Sequence, residues 1–147
     1  MMKKSGMVDI GEKRRTRRMA VAEALVRLPV DIMERIKQDT IPKGDVLETA
    51  RVAGIMAAKK TSELIPLCHI IEVDNVDIEF LFKRNGLLIR SRVKATAKTG
   101  VEMEALASCS IAALTIYDMC KMFSKSIEIT GLYLVEKKGG KSGIYRR

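Results

Sequence analysis

The sequence contains no tryptophan, and only three tyrosines and three phenylalanines. At 4% aromatic residues it has few platforms on which unpaired nucleic-acid bases would stack. The spacings of a helix-turn-helix or a zinc finger are missing as well. One histidine, His69, and three cysteines, Cys68, Cys109 and Cys120, are all it offers as soft metal ligands. Cys68 and His69 are neighbours, whose side chains rarely converge on one ion, and no second ligand pair has suitable spacing, so no metal site is expected. An odd cysteine count without regular spacing does not make a disulfide framework and suits buried thiols in a reducing cytoplasm. No run of about eighteen apolar residues occurs, which argues against a membrane span. The basic start Met1-Met2-Lys3-Lys4 lacks the apolar stretch of a signal peptide.

What is present describes a soluble globular chain. Its 147 residues, 47% hydrophobic and 31% charged, suit one domain, 1–147, with a real core. With 27 basic and 18 acidic side chains the formal net charge is +9, so anionic partners are expected. A small polyphosphate accounts for that charge as well as nucleic acid does, although most of the cations are ordinary solvated side chains.

Taken in order, residues 7–10 read as a short strand or extended arm. Lys13-Arg14-Arg15-Thr16-Arg17-Arg18 packs five cations into six residues, and such density resists burial. A basic, mobile segment is therefore expected at 11–18. From 18 to 28 small apolar residues alternate with polar ones, which favours a strand. Pro29 then opens a short helix at about 30–38. Asp45, with Glu48 three places on, reads as a capping box for a helix from 46 to about 60. Ala53, Gly54, Ala57 and Ala58 leave that helix a small-residue surface open to a second backbone, from a sheet or another subunit.

Residues 71–83 and 87–98 alternate about Asn85-Gly86, a hairpin signal, with Asp77 and Glu79 placed to face Arg90 and Arg92. A helix at about 103–122 follows, then a strand at about 127–136 interrupted by Gly131, and a flexible glycine-rich tail at 138–147. The order is that of a ferredoxin-like βαββαβ fold: an α+β domain whose antiparallel sheet carries helices packed on one face.

The run 99–121 holds most of the chemistry. Asp118 and Lys121 share a helical face. They form either a surface ion pair or, if the flanking Leu114, Ile116, Met119 and Met122 bury them, a tuned proton-transfer pair. Glu102 and Glu104 are either favourable acids at a helix N-terminus or acceptors for the hydrogen-bond donors of a guanine-like base. His69, just after Pro66, is either a satisfied structural residue or a group displayed on a loop. Gly140-Lys141-Ser142 lacks the earlier glycine and the following helix of a phosphate-binding loop, so a Walker-type nucleotidase is rejected.

Together, Met7-Val8-Asp9-Ile10, Lys43-Gly44-Asp45-Val46, Ile65-Pro66-Leu67-Cys68-His69, Gly100-Val101-Glu102-Met103-Glu104-Ala105-Leu106, Tyr117-Asp118-Met119-Cys120-Lys121 and Gly139-Gly140-Lys141-Ser142-Gly143 resemble the cyclic pyranopterin monophosphate synthase family, that of molybdenum cofactor biosynthesis protein C. The resemblance runs through nearly the whole chain, in family order. It implies a phosphorus–oxygen lyase that converts 3',8-cyclo-7,8-dihydroguanosine 5'-triphosphate to cyclic pyranopterin monophosphate and pyrophosphate. It further implies a substrate supplied by an upstream radical SAM enzyme and no required cofactor, Mg2+ being a possible companion of the triphosphate. A cytoplasmic homohexamer follows too, a trimer of dimers with sites at subunit interfaces, acting on neither nucleic acid nor membrane. Carried over by position, Asp118 is the acid–base residue and Lys121 its partner, while Lys43, His69 and Lys137 match other functional positions. Arg18 matches a basic residue near the triphosphate, and Leu67, Cys68, His69, Met103 and Glu104, with Glu102 beside them, match substrate-contacting segments. Ile70 departs from the family, many members having proline after the histidine.

Overall fold

Alternation of small apolar with polar residues produces the central strand β1 (Thr16–Arg27), in which Ala20, Ala22, Ala24 and Val26 are fully buried on one face. The computed structural model describes residues 2–147. On either side of β1 run β3 (Gly86–Ala97) and β4 (Glu128–Lys138), with β2 (Asn75–Lys83) beyond β3 and the two-residue β5 (Tyr145–Arg146) beyond β4. Every pairing is antiparallel. Without β5, the sheet order β2-β3-β1-β4 is that of the ferredoxin-like fold. The helices are α1 (Val30–Lys37), α2 (Val46–Lys59), the single turn α3 (Thr61–Leu64) and α4 (Glu102–Cys120). α4 lies across β1, β3 and β4, and α2 packs beside it.

The hairpin register is the one that charge complementarity required: Asp77 faces Arg92 and Glu79 faces Arg90. Two details differ. β2 begins at Asn75, because 71–74 stay outside the ladder, and the turn is Arg84-Asn85, one residue early. Gly86 is needed not for the turn but for the close approach of β1, since a Cβ there would collide with the Val26 carbonyl oxygen. On β4 the pairing with β1 slips twice, and Gly131, at φ +61°, supplies the left-handed residue of the second bulge.

At the start of α2 the Asp45 side chain accepts a hydrogen bond from the Glu48 amide at 3.1 Å. The Glu48 carboxylate turns to Arg51 instead of returning to Asp45, so the cap is one-sided and no reciprocal box forms. The backbone that approaches the small residues of α2 is α4 of the same chain: a Cβ on Gly54 would press on Ile78 and lie 3.0 Å from the Ser108 carbonyl oxygen. α4 alone is long and apolar enough for a membrane span among the described residues, yet half of that stretch is buried inside the fold.

Both expected mobile segments are partly ordered by the sheet. Residues 16–18 belong to β1, and Arg18 is only 7% exposed. It tolerates burial because its guanidinium donates to the carbonyl oxygens of Ala97 and Lys98, at 3.4 and 3.2 Å. In the tail, Gly139, Gly140 and Gly143 adopt positive φ and turn the chain back, so that Tyr145 and Arg146 pair with Lys137 and Glu136. Residues 7–10 form no strand.

Candidate active site

α2 and α4 run antiparallel, and all the candidate residues except Arg18 and Lys137 lie on α4, at its C-cap, or in the loops before α2 and after α3. The start of α2 meets the end of α4: Lys43 Nζ donates to Asp118 Oδ2 at 3.0 Å and to the Asp118 carbonyl oxygen at 3.1 Å. From the next turn of α4, Lys121 Nζ reaches Asp118 Oδ1 at 3.0 Å. Lys43 owes its place to the loop 42–44, where Gly44 turns at φ +118°. One carboxylate thus bridges two ammonium groups. Hydrogen bonds from Lys43 and then Lys121 hold the Asp118 carboxyl below its ordinary range.

The expected burial of this pair is not found. The side chains of Asp118 and Lys121 are 55% and 57% exposed in the single chain. Ile116 and Met119 do face the core, but Leu114 and Met122 point outward, so the apolar flanks lie on two different faces of the helix.

The end of α2 leads to the opposite end of α4. There a cleft of about 270 Å³ is lined by Leu67, Cys68 and His69 of the loop 65–70 and by Glu102, Met103 and Glu104 of α4. Thr99 and Gly100 complete its floor, and Val8, Ile10 and Lys13 of the N-terminal arm close one wall. The two glutamates live differently. Glu102 is paired with Lys137, whose Nζ lies 3.3 Å from Oε1. Lys137 arrives from β4, where it pairs with Ala20. Gly100 makes room for the pairing, because a Cβ there would overlap the Glu102 carboxylate. Glu104 is 3% exposed, and no cation lies within ion-pairing distance of it among the described residues. Burial, opposed by the backbone and aided by Glu102, raises its carboxyl to about 7. Burial and the Glu104 charge likewise raise the Cys68 thiol.

Arg18 belongs to neither cluster. Its guanidinium lies against Gly140 and borders a basic cavity of about 510 Å³ with Lys13, Arg14 and Lys141. The structure thus gathers Leu67, Cys68, His69, Glu102, Met103 and Glu104 at one end of α4, with Lys137 alongside, and Lys43, Asp118 and Lys121 at the other. No group of three metal-ligating side chains converges among the described residues.

Sequence reasoning missed the arm residues Val8, Ile10 and Lys13 as cleft lining. Their apolar-then-basic pattern was visible, but nothing local showed which surface the arm crosses. It also missed Glu23, which accepts from Arg90 Nε at 2.9 Å and from the Tyr133 hydroxyl at 3.2 Å on the sheet face away from the helices. That contact joins three strands and leaves no trace in any one of them.

The profile of the MoaC family matches residues 7–140. A relative from Heliobacterium modesticaldum, named cyclic pyranopterin monophosphate synthase, is 54% identical over 143 residues, 96% of this chain and 90% of its own length. Relatives of the same name from Geobacillus kaustophilus and Listeria welshimeri are 52% and 53% identical over 145 residues. They cover 96% and 98% of this chain, and 90% and 91% of their own lengths. The chain belongs to the MoaC family.

Proposed function

With membership of the MoaC family as premise, we propose that the chain is a cyclic pyranopterin monophosphate synthase of molybdenum cofactor biosynthesis. In this reading it acts in the cytoplasm as a phosphorus–oxygen lyase on 3',8-cyclo-7,8-dihydroguanosine 5'-triphosphate, delivered by a radical SAM enzyme. Turning a triphosphate into a cyclic monophosphate requires a sugar hydroxyl to bond to the α-phosphorus while the bond to the β-phosphate breaks. The hydroxyl proton must be taken up, and the charge of the departing pyrophosphate must be met. Asp118, the acid–base residue with Lys121 as its partner, takes up the hydroxyl proton, and the ammonium groups of Lys43 and Lys121 beside it meet the charge of the pyrophosphate. Arg18, Lys43 and Lys137 hold phosphates, and the His69 cleft with Glu102 and Glu104 orients the purine-derived part. In this reading no cofactor is required, and Mg2+ could accompany the triphosphate.

One observation carries the reading: the cleft and the lysine–aspartate cluster occupy opposite ends of one helix. Glu104 and Asp118 are fourteen residues apart, about 21 Å along α4. A single small substrate does not span that distance, so a complete site takes one end from each of two subunits. This supports sites at subunit interfaces, as in the homohexamer, a trimer of dimers, that the resemblance implies. Replacing Asp118 or Lys121 by alanine should abolish turnover while the assembly survives, and near-normal activity in both variants sinks the assignment.

A further inference from the structure

The face of the sheet turned away from the helices carries a recess of its own. Ala20, Ala22 and Ala24 of β1 are fully buried on the side of α4, so Arg17 and Met19 point to the other side. Met19 stands opposite Lys94 of β3 and, on its other flank, opposite Lys138 of β4. Lys137 reaches back to Glu102 of α4, which puts its neighbour Lys138 on the helix-free face. Arg17, Lys94 and Lys138 thus converge from three adjacent strands on a cavity of about 440 Å³ around the half-buried Met19. Thr96, opposite Arg17, adds a hydroxyl to its lining. Arg18 also borders it, but its guanidinium turns to the helix side, against Gly140.

Charge in this cavity is unbalanced. Arg17 and Lys94 form no ion pair among the described residues. Lys138 shares the Glu136 carboxylate with Arg146, at 3.3 and 3.4 Å. Asp74 is the one carboxylate among the lining residues, and it pairs with none of the three cations. A concave surface dominated by one sign focuses its field and raises the local concentration of counter-ions. The α-carbons of Lys94 and Lys138 are two strand spacings apart, about 10 Å, with Arg17 along the same face. A single phosphate meets one or two of these cations, whereas a short chain of phosphates meets all three. No aromatic side chain lines the cavity, so a nucleoside would find nothing to stack on. We propose that the cavity binds a short inorganic polyphosphate, diphosphate or triphosphate, through Arg17, Lys94 and Lys138. The lysines act as point charges, and the Arg17 guanidinium donates paired hydrogen bonds to one phosphate. This site lies across the sheet from both ends of α4, and it does not depend on the reaction proposed above.

The test uses the full-length protein labelled with 13C at its methionine methyl groups, because Met19 sits inside the cavity and Met103 inside the active-site cleft. Orthophosphate, diphosphate, tripolyphosphate and ATP are titrated in turn, with the Met19 signal assigned by Met19→Leu. Tripolyphosphate should shift the Met19 methyl along a saturable curve, and ATP should do so no more tightly. Orthophosphate, which forgoes at least one cation, should bind about fivefold or more weakly, the contribution of one exposed ion pair. Lys94→Ala should cost about fivefold in the affinity read at Met19, and Arg17→Ala with Lys94→Ala about twenty-fivefold. Both side chains are exposed, so the fold should survive, and the response of Met103 should stay that of the unaltered protein. Lys94→Arg, which keeps the charge, should keep the affinity. A Met19 shift that never saturates, or one as strong with orthophosphate as with tripolyphosphate, overturns the site. So does a Met19 response that persists unweakened in the double variant, since it would then be relayed from the active site. Much tighter binding of ATP than of tripolyphosphate would overturn recognition of the phosphate chain alone.

Discussion

The two ends of α4 make opposite use of a carboxylate. At the N-terminal end Glu104 is buried without a counter-ion, and its carboxyl rises to about 7. At the C-terminal end Asp118 stands in the open between Lys43 and Lys121, which hold it below its ordinary range. The same helix thus offers a carboxyl that keeps its proton up to about pH 7 in a cleft and a fixed anion on a surface. The cleft has its walls within one chain, whereas the lysine–aspartate cluster stands open in the single chain. In the function proposed above, the first would bind the substrate unaided and the second would need the substrate or a second subunit to exclude water from it.

The sharpest way to break this comparison is at the exposed end. Lys121→Ala or Asp118→Ala should lower turnover by at least about a hundredfold, while the cleft still binds nucleotide. Turnover and calorimetric binding measured on the same samples separate the two ends. The link between the ends is the contact of α2 with α4. Gly54→Val should cost roughly 2–3 kcal/mol in urea unfolding, because the added atoms meet Ile78 and the Ser108 carbonyl. It should also shift Lys43 away from Asp118.

At the buried end the prediction concerns pH. Glu104 holds its proton up to about 7 in the fold, against an ordinary 4.5, so between those values the native state keeps a proton that the unfolded chain has lost. Stability therefore declines as pH rises through that window and stays lower above it. Glu104→Gln should remove the decline. Relative to the unaltered protein it gains on the order of 3 kcal/mol at pH 8 compared with pH 4.5, measured by urea unfolding at both pH values. Asp118 has the opposite sign: its contribution is present above its ordinary range and lost on acidification. The smallest effect is expected from Asp45→Ala, which should cost about 1 kcal/mol by uncapping α2. Lys43, two residues before the cap, should then position Asp118 less well, and turnover should fall while binding in the cleft stays the same.

Much of this was legible in the residues. Alternation located β1, β3 and β4, and the facing of Asp77 with Arg92 and of Glu79 with Arg90 followed from charge and turn chemistry. Asp45 marked the start of α2 because capping is local. The helix expected at 103–122 already set Glu102 and Glu104 near one end and Asp118 and Lys121 near the other, but nothing local showed that Lys43 meets Asp118 or that the loop 65–70 faces Glu104. What remained hidden was set by contacts distant in sequence. Arg18 lies in a dense basic run and is nevertheless buried, because the carbonyls that accept from it sit some eighty residues away. Gly54 and Gly86 are demanded by the backbones that approach them, not by their own turns. The exposure of Asp118 was misjudged because its apolar neighbours point both ways around the helix.

The central claim is that one substrate meets the two ends of α4 in different copies of the chain. Two inactive variants, Glu102→Ala and Lys121→Ala, mixed as unfolded chains and refolded together, test it directly. If each site takes its cleft from one subunit and its lysines from another, mixed pairs hold one intact site, and about a quarter of the unaltered turnover should return. Co-assembly of the two variants without any recovered turnover would contradict it.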